Sequence, residues 1–242
     1  MVNIQKTQTH KGGGQTPPPF FMWPRPVREN CTDILSLPQT RMSSTVRIGL
    51  SDAITRLAPL IGRPHIVQKN ANKGNAGHYL ETLLGIPHSS SALDCSDGEV
   101  KVFPLKRLAN GSLVPKETVA VTMCCIESLK TQPFIDSRVS KKLRSALFVP
   151  YLRETNESVV YYSAQHFTDA HTLWATLALD YDLLQSNANQ GHMTGKLGTF
   201  LQTRTKGAGH GSTSRAFYLR PQFMKALFPE GFHEAMPPQP TL

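Results

Sequence analysis

The chain has 242 residues, of which 39% are apolar and 18% charged, and its 26 Lys and Arg against 17 Asp and Glu give a formal net charge of +9 at pH 7. A chain of this length and apolar content can bury a sizeable core, which excludes disorder throughout. The longest uncharged apolar run, residues 119–126, is far below the ~20 residues of a membrane-spanning helix, and residues 1–15 hold no signal-like apolar stretch, so the expectation is a cytoplasmic chain without a membrane segment.

Residues 1–45 contain Gly12-Gly13-Gly14, Pro17-Pro18-Pro19, Pro24 and Pro26, which disfavour a regular helix or an interior strand and mark a Pro/Gly-rich tail. The domain is expected over residues 46–230, with residues 231–242 as a C-terminal tail. Ala53-Ile54, Leu57-Ala58 and Leu60-Ile61 follow helical spacing, with Ser51 as candidate N-cap and Gly62 and Pro64 as the stop. A second helix is predicted over residues 75–84, ending at Gly85. After Pro87 the pattern changes to period two: residues 93–95, 99–104 and 118–126 read as strands, with Asp97-Gly98 as a hairpin turn and Asn110-Gly111 as a second turn. Residues 139–146 read as a short basic helix, 147–152 and 158–163 as strands, 169–184 as a longer helix, and 200–203 and 216–220 as strands around a Gly-rich loop. The mixture predicts an α/β (α+β) fold around a central sheet.

The four cysteines, Cys31, Cys95, Cys124 and Cys125, form no Cys-x-x-Cys and no zinc-type spacing with histidine, and are expected to be buried free thiols. His166, His171, His192 and His210 are scattered, which argues against histidine-bound metal. The positive balance makes a polyanion the first partner to test. No acidic residue lies between Asp182 and Glu230, where Lys196, Arg204, Lys206, Arg215, Arg220 and Lys225 fall, and Arg138, Lys141, Lys142 and Arg144 form a second basic cluster.

The chemistry concentrates between residues 73 and 101. On a strand, Glu99 and Lys101 point to the same side while Val100 points to the other. Asp94 is near enough in sequence to reach the same edge, and Glu81 on the preceding helix is a third acid. Carboxylates converging beside a lysine suit Mg²⁺, a hard cation held by carboxylates, waters and phosphate oxygens, and so suit phosphodiester hydrolysis. Asp97 competes with Asp94, but an Asp-Gly turn gives it a backbone reason of its own, and Asp94 is preferred.

Asn72-Lys73-Gly74-Asn75-Ala76-Gly77, Leu80-Glu81-Thr82-Leu83-Leu84-Gly85, Asp94 and Glu99-Val100-Lys101 resemble, in that order, motifs of the MutH family of PD-(D/E)XK nucleases and the related GATC-cutting restriction endonucleases. Downstream, residues 137–144 and 148–150 resemble the family's basic helix and following strand, and residues 198–208 and 215–220 its C-terminal DNA-reading arm. The resemblance implies a restriction-endonuclease-like mixed central sheet flanked by helices, with that arm appended. It implies Glu81, Asp94 and Glu99 as Mg²⁺ ligands, Lys101 as catalytic lysine and Lys73 as a further lysine near the scissile phosphate. It also implies Lys142 as a basic residue near the active site, Gln202, Arg204 and Lys206 as DNA contacts, and Tyr218 as a sensor of the target adenine.

The function so implied is sequence-specific, metal-dependent cleavage of double-stranded DNA by a type II restriction endonuclease, with a companion DNA methyltransferase and a transient homodimer. The alternatives are a mismatch-repair nickase acting on hemimethylated DNA, and a DNA-binding module with a decayed nuclease site.

Overall fold

Residues 147–152 form an apolar run without the alternation of a half-exposed strand, as a strand covered on both faces requires. In the computed structural model, which describes residues 47–67, 74–88, 91–206 and 214–234, this run lies in β5 (Ser145–Arg153), at the centre of a mixed sheet. Strand β2 (Glu99–Arg107) runs parallel to β5 in a register from Glu99 opposite Ala146 to Pro104 opposite Tyr151. Strands β6 (Ser158–Tyr161) and β7 (Gln165–Thr168) pair antiparallel with β5, β1 (Pro64–Ile66) adds beyond β6, and β3 (Leu113–Pro115) adds beyond β2. A second, antiparallel sheet has the order β4 (Val119–Cys124), β9 (Arg215–Leu219), β8 (Leu201–Thr205).

The two faces of β5 feed two cores. Leu147, Val149 and Tyr151 pack with Val100 and with Leu50, Ala53, Ala76, Leu80 and Leu84 of helices α1 (Leu50–Leu57) and α2 (Asn75–Leu84). Ala146, Phe148 and Leu152 face the other way. They join α4 (Arg138–Leu143), α5 (Leu173–Asn189), α6 (Pro221–Leu227) and the inner face of the second sheet. The remaining helix is α3 (Ile126–Thr131). The expected mixed sheet flanked by helices is therefore the observed fold.

Helix α2 has the predicted bounds, closed by Gly85 in the left-handed conformation at φ 76°. Ser51 does not cap α1; the Leu50 amide donates instead to Asp97 Oδ1 at 2.7 Å. The expected strand 93–95 is absent, because Asp94 Oδ2 accepts from the Val100 amide at 3.0 Å and the Cys95 amide bonds to the Gly98 carbonyl at 2.9 Å. The Asp97-Gly98 turn is thus a local reversal before β2. The strand expected through residue 126 stops at Cys124, where the chain turns into α3.

Cys95 and Cys124 are buried free thiols as expected, whereas Cys125 is disulfide-bonded. The tail expected from residue 231 packs as far as it is described: Phe232 sits against Phe103 and Phe228, and the Tyr162 hydroxyl donates to Glu234 at 3.0 Å. The N-terminal tail lies outside the described residues. Among the described residues no helix is long and apolar enough to cross a membrane.

Candidate functional site

Period two on β2 puts Glu99, Lys101 and Phe103 on the side facing α4, while Val100 packs into the α1/α2 core. Glu99 is only 2% exposed, and its Oε1 accepts from Lys101 Nζ at 2.5 Å and from Lys142 Nζ at 2.7 Å. Helix α4 delivers Lys142 from 43 residues away, with its first turn closed by the Ser137 hydroxyl accepting from the Ser140 amide. The other oxygen, Glu99 Oε2, is buried and has no hydrogen-bond partner among the described residues. A buried carboxylate oxygen left without a donor is costly, so this one suits a ligand that can accept its lone pairs.

Asp94 completes the group. Its Oδ2 takes the Val100 amide. Burial, and secondarily the neighbouring Glu99 charge, raise its carboxyl pKa above the ordinary aspartate value, against the pull of Lys101 and Lys142. The buried Cys95 thiol is pushed up to about 11 by burial and by Asp94, Asp97 and Glu99, so it stays protonated beside the acids. Two carboxylates and two ammoniums therefore share one half-buried place. The crowding of acids and the open Oε2 fit a divalent cation with oxygen ligands.

Asp94 supplies a stability test. Because its folded pKa is raised, its contribution is complete below the unfolded value of ~3.9 and is lost as pH rises through the raised folded value. Asp94→Asn keeps an oxygen for the Val100 amide and removes the disfavoured charge. The metal-free variant is expected to melt above wild type at pH 7–8, by roughly 2–4 °C for each kcal/mol recovered, with the difference closing near pH 4. Thermal melts across that range in chelator check this; a lower melting temperature at pH 8 contradicts the assigned direction.

The other expected site residues divide. Helix α2 is anchored by the Tyr161 hydroxyl on the Ala76 carbonyl at 2.8 Å and by Arg153 on Asn75 Oδ1 at 3.1 Å. A Cβ added at Gly77 would lie 3.8 Å from Val102 Cβ, an ordinary contact, so packing does not require glycine there. Asn75 and Ala76 are explained by the bonds that hold the helix to the sheet. Glu81 on this helix meets His78 and His88 through Oε2. Lys73 lies outside the described residues. On β8, Arg204 and Lys206 just beyond its end are exposed, whereas Gln202, expected beside them as a DNA contact, is buried. Its cross-strand neighbour Tyr218 is half-buried. Within the acid-free window, Arg215 bonds to Thr203, and Arg220 to the Gly195 and Leu197 carbonyls. These two arginines brace the arm, leaving Lys196, Arg204, Lys206 and Lys225 exposed.

Asp180 was not anticipated. From α5 its buried carboxylate accepts from the amides of Thr199, Phe200 and Leu201 at 2.6–2.8 Å and thereby fixes the entry to β8. An acid amid the apolar residues of a helix was the available signal.

Residues 87–186 match the family model described as "DNA mismatch repair enzyme MutH". Over these residues the chain is similar to the MutH family. It holds Asp94, Glu99, Lys101 and Lys142, the four residues that converge. Comparison with curated protein sequences finds no significant match. Among solved structures, "Restriction endonuclease MvaI-cognate DNA substrate complex" aligns at 16% identity and a TM-score of 0.41, over 76% of this chain and 95% of that one.

Proposed function

We propose that this MutH-type chain is a metal-dependent endonuclease that hydrolyses phosphodiester bonds in duplex DNA at a specific short sequence, as a type II restriction enzyme. The observation that carries the reading is Glu99, with one oxygen gripped by two ammoniums and the other buried without a donor among the described residues, next to desolvated Asp94. Asp94 and Glu99 are the residues to hold Mg²⁺. When bound, the ion supplies charge neutralisation at the scissile phosphate and a more acidic water.

The protein's own groups do the positioning. Lys101 and Lys142 orient Glu99 through Oε1, which leaves Oε2 for the ion. The Val100 amide does the same for Asp94. Lys101 Nζ is also a donor for the attacking water and for a phosphate oxygen, in a partly desolvated place where such interactions are strong. Exposed Arg204 and Lys206 supply contacts to DNA, and half-buried Tyr218 is a candidate for the adenine contact. Gln202 supports this surface from within. One such site per chain cuts one strand, so cleavage of both requires a transient homodimer or sequential nicking.

The family description, a mismatch-repair enzyme, favours a second reading as a nickase. The net charge of +9 favours the restriction reading, since counterion release lets a basic protein find DNA without a recruiting partner. Purified protein with fully unmethylated plasmid and Mg²⁺ is expected to give discrete double-strand ends. Modification of both strands by the companion methyltransferase is expected to block it. Slow nicking confined to hemimethylated duplex would establish the repair reading, and specific binding without any cleavage would leave only a DNA-binding module.

A further inference from the structure

Helix α2 and the segment after it bring together three groups that the proposed nuclease chemistry leaves over. His78 and Glu81 stand one turn apart, and His88 follows the Gly85 stop, so the chain folds back over the end of the helix. His78 Nδ1 lies 3.4 Å and His88 Nδ1 3.5 Å from the same oxygen, Glu81 Oε2. The two imidazoles meet edge to face with centroids 5.0 Å apart, and the three ligand atoms all fall within 4.8 Å of one another. The side chains of His78 and His88 are 54% and 59% exposed, and that of Glu81 22%, so the place is open to solvent.

We propose that His78, Glu81 and His88 form a second metal site, distinct in chemistry from the acid cluster and selective for a borderline-soft transition ion such as Zn²⁺. A tetrahedron with metal–ligand bonds of ~2.0–2.1 Å has edges of roughly 3.3–3.4 Å. The two imidazole-to-carboxylate distances, 3.4 and 3.5 Å, match that edge. An octahedral Mg²⁺ shell needs adjacent ligands at roughly 2.9 Å and prefers oxygen, so two imidazole nitrogens select against it. Two histidines and one glutamate leave a fourth position for water, and the exposed side of the cluster supplies it.

Bound there, the ion ties His88 to α2. The tie lies six residues before Asp94, on the connector that leads to the acid cluster. It also holds Glu81, the third acid expected at that cluster, in the imidazole pair. The site therefore acts as a clip on the connector, and the claim stands whether or not the chain cleaves DNA.

The test is Zn²⁺ titration of the full chain carrying no purification tag, in excess Mg²⁺, read by calorimetry and thermal melting, with Co²⁺ absorption as a probe of geometry. Wild type is expected to bind one Zn²⁺ with a raised melting temperature, and Co²⁺ to give a four-coordinate spectrum. Because even outer-shell changes cost ten- to a hundredfold in affinity, His78→Ala and His88→Ala are each expected to weaken Zn²⁺ by about 100-fold or more. Both residues are exposed, so these variants are expected to fold, and an unchanged melting temperature without metal confirms it. Glu99→Gln is expected to leave Zn²⁺ affinity at this site unchanged. Equal Zn²⁺ affinity in wild type and His88→Ala, or loss of Zn²⁺ binding on Glu99→Gln alone, overturns the proposal.

Discussion

Glu99→Gln and Lys101→Ala are expected to reduce DNA cleavage by about three orders of magnitude or more, as loss of a preorganised charged group in a water-poor site does. Glutamine keeps the shape of Glu99 but removes the charge that holds Lys101 and Lys142, and it offers an ion only a neutral oxygen. Glu99→Ala is the less informative change, since it strands two ammoniums in a half-buried place and adds a folding cost. Specific DNA binding is expected to survive in both variants, because the exposed cations of the arm lie outside β2. Asp97→Ala provides the contrast. It removes the acceptor of the Leu50 amide at the start of α1, so it is expected to cost roughly 1 kcal/mol of stability and to leave cleavage in place. Single-turnover cleavage with melting curves for each variant decides the assignment. A dead Asp97→Ala beside an active Asp94→Asn would exchange the two aspartates.

The second large effect is expected away from the acids, at the entry to β8. Gly198 has φ 83°, and a Cβ there would come within 1.8 Å of the Leu201 carbonyl oxygen, a backbone atom that cannot move aside cheaply. Gly198→Ala is therefore expected to cost about 3 kcal/mol or more, combining left-handed strain with a steric clash. Asp180→Ala frees the amides of Thr199, Phe200 and Leu201 together, the last of them buried, and is expected to cost roughly 3 kcal/mol. Urea unfolding measures both: the midpoint falls while the slope stays constant if the native fold is kept. DNA affinity is expected to fall with stability in both, because Arg204 is carried by the strand that this turn starts. A Gly198→Ala protein with a wild-type midpoint would show that the turn re-forms without glycine.

Local chemistry was legible along the chain. The α2 bounds, with the stop at Gly85, and the strand over residues 147–152 were read from the chain, and both are found there. The side-by-side placement of Glu99 and Lys101 followed from the pleat, which repeats every two residues whatever the rest of the fold does. The resemblance to the MutH family put Asp94 and Lys142 near that pair. Short-range pattern could not foresee the strand expected at residues 93–95 being lost to the Asp94 side-chain bond and a backbone turn, nor the extra elements β1, β3, β7, α3 and α6, which are a few residues long and depend on neighbours to cover them.

Only the tertiary structure decided which partner each charged group met. Lys142 reaches Glu99 across 43 residues, Asp97 serves the start of α1, Asp180 gathers three amides, and Glu81 turns to two histidines ten residues apart. Gln202 is buried although it sits next to exposed residues of the same arm. The physical reason is range. Backbone pitch, pleat and capping act within about four residues and are written in the order of side chains, whereas a buried charge takes whichever donor or acceptor packing brings within about 3 Å, because leaving it unpaired costs more than almost any local preference.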